Sequence, residues 1–233
     1  MAKCYTIFFA LLFVVVIAAC NSPSKVPLKE FEGIITYKTS RTTWRDSNRT
    51  PHTSDTIRIY YSHGNMCKVH TSDSAIIKKE IYITKGNHYY FLKPHIDTLF
   101  YYDVAQTIPH TELASLSMTD ADTTILGHDC QKADIWIRHQ GEKGPFYTEY
   151  QYLFSNDYLV VNPEHWTKYN FGYFNKMIDR AGHYYLGFHY KLHTYDNVVI
   201  ETTDYAAINI KEQKIDPNVF NLDKLPLKEL NLR

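Results

Sequence analysis

From Glu30 onward, apolar and polar side chains alternate with a period of two, segment after segment, and turn residues separate the segments. The pattern predicts a first strand over 31–43, then a polar stretch to Ser54. Strands over 56–62 and 66–72 flank Gly64-Asn65, and strands over 80–84 and 88–93 flank Gly86-Asn87. Each glycine can take the positive φ that a tight hairpin demands. A strand over 98–102 follows Pro94, and the less regular stretch 103–124 is expected to hold a short helix over 111–118. Strands over 129–139 and 146–154 bracket a turn at 141–144. Asn162-Pro163-Glu164 pairs a capping side chain with proline at the first turn, so a helix is predicted from Pro163 towards Ile178, ending before Gly182. Two last strands, 183–195 and 198–210, meet at Asp196-Asn197. With no internal repeat, residues 30–233 read as one antiparallel β-rich domain with one main helix.

The first residues follow another rule. Met1-Ala2-Lys3 is a short positive start, and the 13 residues 7–19 are apolar. As a helix they would reach about 20 Å, short of the roughly 30 Å hydrocarbon core, which fits a signal-peptide core better than a resident span. Ile17-Ala18-Ala19-Cys20 resembles the bacterial lipobox. That resemblance implies cleavage after residue 19 and acylation of Cys20, and two or more acyl chains hold a protein stably on a membrane. Residues 20–29, with Pro23 and Pro27, then read as a tether reaching up to about 30 Å. Asn21 rather than aspartate follows the cysteine, which by the sorting rule of such lipoproteins implies the outer membrane. No acidic run follows Cys20, so a periplasm-facing protein is expected.

Composition sharpens this picture. The chain of 233 residues carries 20 Tyr, 12 Phe and 3 Trp, which favours strands. Loss of the first 19 residues leaves 214, removes Lys3 and no acid, and moves the formal charge from 0 to −1. The largest basic cluster, Lys78-Lys79, ends at Glu80, so nucleic acid has no electrostatic footprint here. Cys67 and Cys130 remain in the folded body, and an oxidising periplasm permits a disulfide between them. Alternation argues against it: Cys67 shares a face with Val69, whereas Cys130 falls with Lys132 and Asp134, opposite Ala133, Ile135 and Ile137.

The order of these parts is similar to that of one family. Phe-x-Gly-x-Ile at 31–35, successive hairpins, a late helix, a closing strand and the ending Asp216-Pro217-Asn218-Val219-Phe220-Asn221-Leu222, with Pro226 soon after, resemble uncharacterised outer-membrane lipoproteins of the LolA/LolB-like fold. The resemblance implies a curved antiparallel sheet, a half-open barrel with helices over its concave side, able to enclose an acyl chain. LolA itself is soluble, so an anchored chain sits nearer LolB, and no local match to their functional segments carries lipoprotein transport over.

Candidate chemistry is sparse. The pairs Tyr60-Tyr61, Tyr89-Tyr90, Tyr101-Tyr102 and Tyr184-Tyr185 should give one ring to each face of the sheet. On the strand 186–193, Leu186, Phe188, Tyr190 and Leu192 fall on one side and Gly187, His189, Lys191 and His193 on the other. His189 and His193 stand about 13 Å apart with Lys191 between them, so they read as a solvated polar face rather than a metal pair. Asp120-Ala121-Asp122-Thr123-Thr124 fits an Asp-x-Asp-x-Thr phosphotransferase pattern, but it lacks the parallel-strand context and reads as a turn. The expectation is therefore a lipid-anchored, non-enzymatic protein with no cofactor or metal, sheltering an apolar ligand such as a lipid. Ile135, Ile137, Leu186, Phe188, Tyr190 and Leu192 are its candidate cavity residues. The alternative is a structural module of the cell envelope that docks a protein or glycan through its sheet face.

Overall fold

The computed structural model describes residues 29–230 except 46–47, 52–54, 73–74 and 223–224. The expected signal segment, Cys20 and all of the tether but Lys29 lie outside the described residues. The described chain forms β1 (Gly33–Arg45), β2 (Asn48–Pro51), β3 (Asp55–Ser62), β4 (Asn65–His70), β5 (Lys79–Ile83), β6 (His88–Leu92) and β7 (Leu99–Asp103). It continues with β8 (Thr111–Ile125), β9 (His128–Gly141), β10 (Gly144–Phe154), the helix α1 (Phe174–Ala181), β11 (Gly187–His193), β12 (Val199–Glu212) and β13 (Leu227–Glu229).

All strands join one sheet in the order β13-β7-β6-β5-β4-β3-β1-β12-β11-β10-β9-β8, with β2 beside β1. Its pairings are antiparallel except that of β13 with β7. The connection 104–110 forces this sheet to curl. Ten strand spacings separate β7 from β8, about 48 Å in a flat sheet, while seven extended residues reach less than about 30 Å. The two ends of the sheet are thus drawn towards each other, yet β8 and β13 do not pair, and the result is an unclosed, half-barrel sheet.

Period two explains what faces inward. Ile57, Ile59 and Tyr61 are buried while Arg58 between them is exposed, and Ala133, Ile135 and Ile137 repeat the pattern on β9. These side chains and their partners form the main core on the inner face. A second, smaller cluster of Cys67, Ile81, Tyr90 and Leu99 lies on the outer face of β4–β7 and is covered by Val219, Phe220, Leu222 and Leu225. The closing segment picked out in the sequence therefore caps the outside of the sheet. The first three tyrosine pairs divide as alternation requires: Tyr61, Tyr89 and Tyr102 join the inner core, Tyr60, Tyr90 and Tyr101 the outer cluster. Tyr184 and Tyr185 do not divide; both rings are in the main core, stacked 4.6 Å apart, because they precede β11 and its pleat.

Three expected elements differ. The helix expected over 111–118 is part of β8. Ala114 is an extra residue in a bulge between Leu113 and Ser115, so the inward-facing Leu113, Leu116 and Met118 acquire a spacing that mimics a helix. The helix expected from Pro163 to Ile178 is split into single 3-10 turns at Pro163–Trp166 and Phe171–Tyr173 and then α1, because Gly172 and Tyr173 both adopt left-handed backbone (φ 61° and 55°). Asn162 does cap the first turn, accepting from the Glu164 N–H at 3.1 Å, and Gly182 (φ 68°) ends α1 as expected. The strand expected from 183 begins at Gly187, with His183 contributing only an isolated bridge to Val160.

The connection 155–186 between β10 and β11 enters the curl of the sheet. Trp166 is buried against Tyr82 (5.2 Å) and Phe174 (5.0 Å), and Asn170 is tied to the β7–β8 connection through the carbonyls of Val104 and Ala105. Glu30 fastens its start: one carboxylate oxygen accepts from the Asn162 N–H at 3.2 Å and the Tyr61 hydroxyl at 2.8 Å and meets His165 Nδ1 at 3.1 Å.

Candidate functional site

Two hollows remain between the inner face of the sheet and this inserted segment. The outer one, a groove of about 470 Å³, runs between Ile137, Thr148, Tyr190 and Leu192 of the sheet and Ile108, Phe171 and Tyr173. The strand register builds its wall: Ile137 pairs with Thr148 and Thr148 with Leu192, so one row of inward side chains crosses β9, β10 and β11. Polar groups sit on the same groove. His139 stacks on Phe146 at 4.7 Å and meets the Thr148 hydroxyl at 2.8 Å, and burial holds its imidazole below the usual range, which leaves it neutral. Lys176 of α1 is exposed at the groove and makes no ion pair among the described residues.

The inner hollow, about 210 Å³, shares Tyr150, Phe171 and Gly172 with the groove. Its walls are aromatic: Tyr152, Trp166, Tyr169, Phe174, Phe188 and Tyr205 among them. Lys68 is the one charged residue in its lining. It belongs to a buried polar cluster centred on Glu80, whose carboxylate meets Lys68 Nζ at 2.9 Å and His70 Nε2 at 2.7 Å and accepts from the Tyr89 hydroxyl. Burial alone would push the Glu80 carboxyl up, but Lys68 and His70 outweigh it and hold the group below its usual range. Burial would likewise depress the Lys68 ammonium, and Glu80 beside it more than compensates, so the lysine stays charged.

The candidate cavity residues divide between these features. Phe188 lines the inner hollow, and Ile137, Tyr190 and Leu192 line the groove. Ile135 and Leu186 are fully buried core residues and reach neither. Sequence reasoning missed Lys68, His70 and Glu80, although alternation could have shown them: Lys68 shares its face with Met66, and Glu80 with Tyr82. It also misses the inward aromatics Trp166, Tyr169 and Phe174, because they lie within the expected helix.

Cys67 and Cys130 are both free and buried, in separate clusters on β4 and β9, strands that are not neighbours in the sheet, so the disulfide considered from the sequence is not formed. His189 pairs with Asp204, and His193 lies 3.5 Å from Glu149, so the two histidines have different partners. His193 is not solvated as expected but 7% exposed, because the Trp136 ring covers it at 5.2 Å. The segment 120–124 is not a free turn; it is a bulged stretch of β8. Asp120, Asp122 and His128 do border one open polar depression. Both aspartates are exposed there, Asp120 accepts from Gln131 at 3.2 Å, and His128 is stacked on Tyr158 at 4.1 Å with Asp157 3.5 Å away. The depression thus offers solvated carboxylates rather than a desolvated nucleophile with a base in reach.

The chain matches no protein-family model and no curated protein. Among solved structures it is similar to a chain described as "Structure of PNGF-II in C2 space group", at 10% identity and a TM-score of 0.36. The match covers 84% of this chain and 31% of that one, so this chain spans about a third of that structure's length.

Proposed function

We propose that the protein is a lipid-anchored, non-enzymatic binding module of the outer membrane, facing the periplasm, that shelters an apolar or amphipathic ligand such as a lipid acyl chain. The observation that carries this reading is the groove of about 470 Å³ walled by Ile137, Tyr190, Leu192, Phe171 and Tyr173. Its volume falls in the range of small-molecule sites, and a few polar groups on an otherwise apolar wall are what orient a ligand in such sites. Each methylene buried there would contribute about 0.8 kcal/mol, so a run of ten would supply roughly 8 kcal/mol before the cost of association. The anchor rests on the lipobox resemblance at Cys20, and the half-barrel shape agrees with the LolA/LolB-like resemblance without depending on it. The docking alternative is less favoured: the inner side keeps hollows, and Phe171 and Tyr195 are the large aromatics exposed among the described residues.

Native mass spectrometry of protein taken from its own envelope should find a co-purifying lipid, and Leu192→Trp should displace it. Lipid-free protein that also fails to take up a fluorescent fatty acid would overturn the reading. Labelled palmitate should attach to the chain and be lost in Cys20→Ala.

A further inference from the structure

The Lys68–Glu80 cluster is costly to bury and is not needed to complete an apolar core, since buried ion pairs are often replaceable by apolar residues without loss of stability. Its geometry gives it a direction. Glu80 is occupied by Lys68, His70 and Tyr89, and none of Glu80, His70 or Tyr89 lines the inner hollow. Lys68 does, with its ammonium 5.8 Å from the centre of the Tyr205 ring. An ammonium has three N–H donors, and Glu80 takes one.

The rest of the lining points the same way. It contains no carboxylate, while Tyr150, Tyr152, Tyr169, Tyr185 and Tyr205 bring hydroxyls that can donate. Burial pushes Tyr150 and Tyr185 up to about 12, so those phenols stay protonated. Space is limited. A cavity of about 150 Å³ can hold a benzene molecule, so about 210 Å³ admits one ring with a small substituent. Aromatic walls favour a planar ring, through offset or edge-on contacts.

We propose that the inner hollow is a binding site, separate from the outer groove, for a single planar ring carrying one neutral carbonyl oxygen, with the ring among Trp166, Phe174, Phe188 and Tyr205 and the oxygen accepting from Lys68. The charge balance selects a neutral acceptor. Lys68 and Glu80 already cancel, so a carboxylate ligand would add an uncompensated negative charge to a desolvated site, and a carbonyl would not.

Calorimetric titration of the purified full-length protein with acetophenone, ethylbenzene and benzoate tests this. The first two rings match in shape and differ in the acceptor; the third carries the charge. Acetophenone should bind saturably and about tenfold or more tighter than ethylbenzene, as expected for a hydrogen bond to a charged donor. Benzoate should bind more weakly than acetophenone. Because Lys68→Met alone would strand Glu80, it is combined with Glu80→Gln; in that double variant the preference for acetophenone over ethylbenzene should fall to less than about twofold. Absent acetophenone binding, equal affinity for ethylbenzene, tighter benzoate binding, or a preference unchanged in the double variant each overturns the proposal. The wild-type comparisons decide it even if the double variant does not fold.

Discussion

Lys68 Nζ lies 2.9 Å from Glu80 Oε1, between directly paired residues of β4 and β5 on the inner face of the sheet. The side chains are 15% and 8% exposed, so little solvent screens the pair. Removal of one partner leaves a buried charge alone. Lys68→Met should therefore lower unfolding stability by about 3 kcal/mol, whereas Lys68→Met with Glu80→Gln should lose much less. Urea unfolding of both variants measures the difference, and equal losses would show that the two groups are not coupled.

Acid should act through the same carboxylate. The folded state holds Glu80 below its ordinary 4.5, so its contribution is complete above about that pH and is lost as pH falls through the folded value. A plot of stability against pH should fall below pH 4.5, and Glu80→Gln should flatten that limb. An unchanged acid limb in the variant would assign the loss to other groups.

Alkali should act through the core. Burial pushes the hydroxyls of Tyr37, Tyr152, Tyr169 and Tyr184 well above 10, whereas in the unfolded chain they ionise near 10. Their stabilisation is therefore whole below pH 10 and declines as pH rises beyond it. Tyrosinate absorbance from these rings should rise together with loss of the far-ultraviolet strand signal. A gradual titration with the strand signal intact would show that these rings are not buried.

Gly33, the glycine of the Phe-x-Gly-x-Ile pattern, has a steric cause. A Cβ there would lie 2.3 Å from the Lys211 carbonyl oxygen on β12 and 2.9 Å from the Phe31 ring. Gly33→Ala should cost about 2–3 kcal/mol, since backbone and ring must both shift. A denaturation midpoint equal to that of the wild type would show that the strand can move aside freely.

The cysteines should be inert. Burial pushes the Cys67 thiol up to about 11 and also raises that of Cys130. Thiol reagents should label neither in the native protein and both after denaturation. Protein from an oxidising compartment that yields no free thiol would show that the two have bridged.

Alternation and hairpin residues made most of the sheet legible. The strand pairs around 62–65, 83–88 and 141–144 lie where glycine and asparagine announce them, although the first turn is centred on His63-Gly64, one residue earlier than Gly64-Asn65 suggests. The β8–β9 hairpin was missed because its bulges disturb the period, even though Leu126-Gly127 supplies two successive residues of positive φ. The groove was half legible. In the clean apolar row Phe188, Tyr190 and Leu192, the last two mark its wall, but its other wall comes from the inserted segment, and no local pattern tells which side of a sheet a connection will cover. The inner hollow was hidden for a related reason. Lys68 and Glu80 share the inward face of Met66 and Tyr82, but their charge makes them look solvent-facing unless that alternation is followed through.

Pairing of Gly33 with Glu212 places the opening strand of the domain beside one of the last to be synthesised. As the chain lengthens, β1 can dock on β3 at once, but its other edge stays open until β12 arrives. Such distant pairing slows assembly and leaves a sticky β-edge exposed in the meantime. Shielding of that edge by a holding factor during biogenesis, rather than any rescue afterwards, is where this architecture is most in need of help.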